Sequence, residues 1–425
     1  MPGLNETRRK FTPLNAIEEA SRCLLCHDAP CADACPASTA PDKFIRSIRF
    51  KNLKGAIETI RTNNAFGACC AFVCPREKLC EEACARTGID RPIDIGGLQA
   101  FAMDFEKESG MKVLESVPPV WEKVAVIGAG PAGLTAASSL ALKGYDVTVF
   151  EARERAGGML TYGIIPARLP RDVVDHEIGL IKERNVKIRL NTRVGKDISF
   201  EQIQKEYKAI CIAAGLWRAV IPEEFAGISG VKSAMEFLAE AGRDDARIPD
   251  NITIIGGGDV AMDCAAAAKL SGAKNVTILY RRTIPEMPAG KSELAFARSL
   301  GVSIIPNFIL TELVVENKKL TAVKATGVMW ADRNTFSEDA VSAMRLRTEL
   351  LIFAIGLEPE DFDFFGVSLD KNNIIITDDN SRTSAENIFA AGDAAYGGKT
   401  VVEAVAAGKR MAFSVDAYLT EKRIS

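Results

Sequence analysis

Histidine is almost absent: His27 and His176 are the only two in 425 residues. That excludes a zinc site built on imidazoles and argues against a histidine-based catalytic triad. No apolar run is long enough to span a bilayer. The first residues, MPGLNETRRKFTPLN, have no apolar stretch behind their charges, so they do not read as a secretory leader. A net charge of −3 implies no broad basic surface for nucleic acid. The expectation is a soluble, cytoplasmic protein of two to three domains, with no membrane or nucleic-acid partner. Cysteine is scarce beyond residue 84, where only Cys211 and Cys264 occur; both read as packing residues.

The other nine of the eleven cysteines lie between Cys23 and Cys84. In a reducing compartment such a cluster reads as metal or redox ligands before it reads as disulfides. The first array is Cys23-x2-Cys26-x4-Cys31-x3-Cys35-Pro36, and the second is Cys70-x3-Cys74-Pro75-x4-Cys80-x3-Cys84. The first is close to the bacterial ferredoxin run C-x2-C-x2-C-x3-C-P, in which the cysteine before the proline serves the other cluster. Two Cys–Pro steps suit two clusters that share ligands between arrays. Zinc stays open as an alternative, although its usual paired C-x2-C arms are represented here by one arm only. Around these arrays, FIRSIRFKNLKGAIETI (44–60) has helical spacing, and the cysteine segments read as loops interrupting helices.

After SVPPVWEK (116–123), a proline-bearing linker, short apolar strands alternate with alanine-rich helices, which predicts mostly parallel sheets. Two strands run into glycine-rich turns. VIGAGPAG places Gly128, Gly130 and Gly133 in G-x-G-x-x-G, with Glu151 ending the next strand, where a carboxylate can accept from ribose hydroxyls. IIGGGDVAMD repeats the pattern with Gly256, Gly258 and Ala261, and Asp259 opens the following helix. Its next strand ends TILYRR. Arg281 and Arg282 cannot accept from a ribose but can grip a 2′-phosphate, which favours NADPH over NADH; a solvated basic loop is the plainer reading. Near the C-terminus, AENIFAAGDAAYGGKTVVEAVAAGK puts Asp393 at a sheet edge and starts a helix at Thr400, Val401 and Val402 whose N-terminus can face a flavin.

Residues 120–425 thus resemble the FAD and NAD(P)H domains of the glutathione- and thioredoxin-reductase superfamily, with the nicotinamide domain inserted into a discontinuous FAD domain. In that superfamily the aspartate of the late GD motif, here Asp393, binds the ribityl chain. The disulfide pair such reductases carry beside the flavin is missing here, so electrons need another exit. RCLLCHDAPCADACP, GACCAFVCPREKLCEEAC and PIDIGGLQAF are similar to the iron–sulfur domain shared by dihydropyrimidine dehydrogenase and the glutamate synthase small subunit. The whole chain resembles the flavin- and iron–sulfur-containing subunits of bacterial dihydropyrimidine dehydrogenase.

That resemblance implies an α/β architecture: an all-α iron–sulfur domain followed by two Rossmann-like dinucleotide domains. The segments are 1–115 for the clusters, 120–243 and 352–425 for FAD, and 244–351 for NAD(P)H. It implies one 4Fe–4S cluster on Cys23, Cys26, Cys31 and Cys84, and a second on Cys35, Cys74, Cys80 and the amide of Gln99. Cys69 and Cys70 fall outside both. Gly158, Leu160 and Arg168 of GGMLTYGIIPARLP are expected to line FAD. No side chain is assigned as acid, base or nucleophile. The implied activity is electron input from NAD(P)H, with NADPH favoured by Arg281 and Arg282, to a separate FMN- and iron–sulfur-containing subunit that reduces uracil or thymine, in a hetero-oligomer. No (β/α)8 barrel or FMN domain is expected in this sequence, so substrate reduction is expected on the partner. Alternatives are the glutamate synthase small subunit and a stand-alone or bifurcating NADPH:ferredoxin-type oxidoreductase.

Overall fold

The computed structural model describes residues 10–241, 247–332 and 335–424. The start of the sequence, 1–9, and the expected boundary at 243/244 lie outside those residues. The chain divides into two compact units. Of the described residues, one comprises 10–161, 166–216 and 359–424; the other comprises 162–165 and those between 217 and 358.

The larger unit begins with helices. Pro41–Arg49 buries Phe44, Ile45 and Ile48, and Leu53–Asn63 buries Ala56, Ile57 and Ile60. Ile95–Ser109 closes the set behind Gly96, Gly97 and Leu98, with the Asp94 side chain accepting from Gly97 N–H as its N-cap. The same unit then forms a five-stranded sheet, in the order Ile388–Ala390, Ala209–Ile212, Lys123–Ile127, Asp146–Phe150, Lys187–Arg189, parallel throughout. Val124, Ala125, Val126 and Ile127 are all buried, as a central parallel strand covered on both faces requires. Ile210, Ile212, Phe150, Phe200, Tyr207 and Ile388 belong to one buried core against this sheet.

The smaller unit has its own five-stranded parallel sheet: Val231–Ser233, Leu350–Phe353, Asn251–Ile255, Asn275–Tyr280, Ser303–Pro306. A three-stranded antiparallel sheet, Phe308–Glu316, Lys319–Trp330 and Phe336–Arg347, extends it. The predicted α/β architecture is therefore present in both units.

One local expectation fails. Residues 67–73 are not a loop but a helix, Gly67–Val73, and six of its seven residues are buried. Its N-cap, Phe66, makes no side-chain capping bond. Glu177 caps the N-terminus instead, from the helix Arg171–Lys182, accepting from Ala68 N–H at 2.7 Å and Cys69 N–H at 3.0 Å. Among the described residues no helix is long and apolar enough to cross a membrane.

Candidate functional site

Both glycine turns join a strand to a helix whose N-cap is glycine without a side-chain cap, Gly130 before Pro131–Ala141 and Gly258 before Asp259–Leu270. Each helix thus leaves first-turn N–H groups for an anion. Gly128 has φ +102°, and a Cβ there would stand 2.3 Å from the Ala213 carbonyl oxygen. At Gly133 a Cβ would meet the Gly128 carbonyl oxygen at 2.1 Å. In the second turn Gly256 has φ +145°, with the Ala354 carbonyl oxygen 2.3 Å from a Cβ.

The first turn is walled on two further sides. Gly157 N–H donates to Ala129 O at 2.7 Å, and a Cβ on Gly158 would meet Gly130 Cα at 2.8 Å. Opposite, a Cβ on Gly392 would lie 2.9 Å from Ala132 Cβ, so Asp393 stands beside the same helix start. Glu151 is buried; one carboxylate oxygen accepts from Ala129 N–H at 2.8 Å, the other from Arg153 N–H at 2.9 Å. A carboxylate with about four acceptor sites retains capacity for ribose hydroxyls after those two bonds. Burial pushes the Asp393 carboxyl up to about 6, opposed by Lys399 N–H, which donates to it at 3.1 Å. Thr400 and Glu403 cap the helix Val401–Ile424 reciprocally, Thr400 N–H donating to Glu403 Oε2 at 2.9 Å. Leu160 and Arg168 are buried in the same unit. A glycine cradle that any Cβ would fill, an acid at the next strand end and a second acid across the turn fit FAD.

In the smaller unit Asp259 accepts from Gly290 N–H at 2.8 Å, tying the helix start to the 289–290 segment. Arg281 is exposed. Trp330, which the sequence reading gives no role, donates its indole N–H to the Arg281 carbonyl at 2.6 Å. Its ring also lies 5.0 Å from the Arg282 guanidinium. The antiparallel extension thereby holds the Tyr280–Arg282 corner. This donor set fits a phosphorylated dinucleotide.

The cysteines fall into two neighbourhoods. Cys23, Cys26, Cys31 and Cys84 lie close enough to perturb one another; burial first, then Cys84, pushes the Cys31 thiol up to about 12. Cys35, Cys70, Cys74, Cys80 and Gln99 line one cavity, with Val402 in its wall. Burial also pushes Cys80 up to about 12, with Glu81 and Cys35 adding to it. Among the described residues no three acidic, histidine or cysteine donors converge on a single metal ion. The second group of thiols is instead a shell around a space, which fits a polynuclear cluster held by sulfur. Gln99 is buried, and its amide donates to Gly67 O at 2.6 Å.

Arg61 lies beside the start of the cysteine helix, its side chain only 1% exposed and donating to Ala65 O at 3.1 Å. It donates to Glu106 at 2.8 and 3.0 Å and to Glu177 at 2.6 Å, the same Glu177 that caps the cysteine helix. These three residues are far apart in the chain, and sequence periodicity gives no sign of them.

The model of the pyridine nucleotide-disulphide oxidoreductase family matches residues 122–408, and that of dihydropyrimidine dehydrogenase domain II, 4Fe-4S cluster, matches residues 2–111. Fold and site thus define an NAD(P)H-dependent flavin oxidoreductase with an iron–sulfur domain. Within that class the chain belongs to the family of the PreT subunits of dihydropyrimidine dehydrogenase. It is 45% identical over 419 residues to the NAD-dependent dihydropyrimidine dehydrogenase subunit PreT of Escherichia coli O157:H7, covering 98% of this chain and 97% of that one. The small chain of NADPH glutamate synthase from Azospirillum brasilense is 29% identical over 442 residues, covering 98% and 92%. Thioredoxin reductase from T. acidophilum shares the fold, with TM-score 0.54, 23% identity, and coverage of 72% of this chain and all of that one.

Proposed function

We propose that this chain is the electron-input subunit of a dihydropyrimidine dehydrogenase, oxidising NADPH and reducing a partner subunit that carries FMN and converts uracil or thymine to the 5,6-dihydro base. FAD and two 4Fe–4S clusters, when bound, supply the change from a two-electron donor to single-electron carriers. Gly128, Gly130, Gly133, Glu151, Gly158, Leu160, Arg168, Asp393 and Thr400–Val402 would hold the flavin. Gly256, Gly258, Asp259, Ala261, Arg281 and Arg282 would hold the nucleotide. Cys23, Cys26, Cys31 and Cys84 would hold one cluster; Cys35, Cys74, Cys80 and Gln99 would hold the other.

The observation that carries this reading is a single helix with two duties. Val401–Ile424 packs on the flavin-side helix at Gly408, where a Cβ would meet the Ala132 carbonyl oxygen at 2.3 Å. The same helix lends Val402 to the wall of the cysteine cavity, and its Lys409 donates to Ala37 O at 2.7 Å. The flavin cradle and the second cysteine group therefore share a rigid wall, as short-range electron transfer requires. The hydride step asks for no protein acid or base, so the side chains position and exclude water. The PreT relatives are named NAD-dependent, while Arg281 and Arg282 support NADPH in this chain.

The test is anaerobic purification of the tagged chain with whatever co-purifies, followed by oxidation of NADPH and of NADH. Uracil-dependent oxidation is expected. Oxidation that requires glutamine and 2-oxoglutarate instead would move the chain to glutamate synthase. Oxidation of either nucleotide with soluble ferredoxin and neither substrate would identify a stand-alone reductase.

A further inference from the structure

We propose that Cys70 is a fifth donor at the second cluster site, able to take the iron corner that Gln99 holds and to convert the site to all-cysteine ligation. The proposal rests on the reading that Cys35, Cys74, Cys80 and Gln99 hold a cluster there. Cys70 lines the same cavity as those four residues. It sits one helical turn before Cys74, whose N–H donates to Cys70 O at 3.0 Å, so the two side chains share a face. The neighbouring Cys69 is fully buried and does not line that cavity, and its backbone N–H donates to Glu177 at 3.0 Å, so it stands outside the cage.

Gln99 and Cys70 are also mechanically linked. The Gln99 amide donates to the carbonyl of Gly67, the first residue of the helix that carries Cys70. That bond leaves the amide oxygen as the group offered to iron. It also keeps Cys70 on the same wall. Thiolate is the softer donor and the usual partner of iron in such clusters, so a cluster that loses its amide has a better ligand at hand. In the exchange the Cys70 thiol releases its proton to solvent, a sulfur–iron bond forms, and the amide oxygen–iron bond breaks. No electron moves. The site gains one negative charge, so its reduction potential falls.

The experiment uses the full-length chain, reconstituted anaerobically, with iron and sulfide measured per bound FAD and EPR recorded after reduction. Gln99→Ala is expected to keep wild-type iron while shifting the signal and lowering the potential of one cluster. Cys70→Ala alone is expected to keep wild-type iron and potential. The double variant is expected to lose about half the iron while FAD stays bound, which shows that it folds. Loss of that iron in Gln99→Ala with Cys70 intact overturns the proposal, as does full iron in the double variant. The Cys70→Ala/Cys74→Ala double variant tests the underlying site: with Cys70 unable to substitute, iron unchanged there overturns the ligand assignment itself.

Discussion

The two glycine turns are built to one plan and differ at three positions. In the first, a Cβ on Gly133 would collide with the Gly128 carbonyl; in the second, Ala261 stands at the equivalent place, fully buried, its N–H donating to Gly258 O at 3.0 Å. The first helix opens with Pro131, which has no N–H, and the second with Asp259, whose carboxylate is engaged by Gly290. The strand after the first turn ends in Glu151, that after the second runs into Arg281 and Arg282 with Trp330 behind them. Under the proposed function, glycine geometry would set where a pyrophosphate lies, and the end of the strand that follows would set which ribose is accepted.

The comparison breaks most sharply at Gly133. Gly133→Ala forces a Cβ onto backbone, at a cost of about 3 kcal/mol or more, and the purified chain is expected to lack flavin absorbance. A normal flavin-to-protein ratio would show that the turn can widen. Next in size is the nucleotide side. Replacing Arg281 and Arg282 with Gln removes charged hydrogen bonds of about 1.5–3 kcal/mol, so KM for NADPH should rise roughly ten- to hundredfold while that for NADH holds. Equal effects on both nucleotides would deny the arginines a role in reading the 2′-phosphate.

Asp393 gives a pH-dependent prediction. Its folded pKa of about 6 lies above the ordinary 3.8. Between those values the unfolded chain ionises first, so this group lowers the stability of the flavin-free protein as pH rises from 3.8 to 6, and the penalty is complete above 6. Asp393→Asn should flatten that part of the profile and raise the melting temperature of the flavin-free protein at pH 7, while weakening FAD several-fold. An unchanged profile would separate the group from that titration. The smallest effect is expected at Ala261, where Ala261→Gly should cost about 1 kcal/mol or less in thermal unfolding and leave nucleotide binding intact. A large loss of nucleotide there would mean that the two turns differ in more than tightness.

The turns were legible because a positive φ and a backbone approach below van der Waals distance leave only glycine as a solution, and that necessity shows in the letters. The alternation of strands and helices carried the two parallel sheets for a similar reason, since buried parallel strands are apolar on both faces. The cysteine helix was not legible. Its cap, Glu177, comes from more than a hundred residues away, so nothing local distinguishes 67–73 from a loop. Spacing puts Cys70 in the second array and the resemblance leaves it outside both clusters with Cys69; which of the two adjacent cysteines lines the cavity shows only in the helix, where Cys70 does and Cys69 does not. Trp330 was silent for the same reason as Glu177: an indole that meets an arginine from another sheet has no sequence signature.

The Arg61–Glu106–Glu177 group bears on where this chain can be cut. The proline-bearing stretch at 116–123 looks like a place to excise the iron–sulfur domain or to graft it onto another flavoprotein. Excision would take Glu177 away from Arg61 and from the N–H groups of Ala68 and Cys69 together. Arg61 would keep Glu106, but losing its bond to Glu177 and the cap on the cysteine helix would each cost about 1–3 kcal/mol, together a large share of what a domain of that size possesses. The fragment would therefore need a carboxylate restored beneath the cysteine helix before it could stand alone. A functional fusion would have to carry the acceptor helix along with the cysteines, so the inheritable piece is longer than the linker suggests.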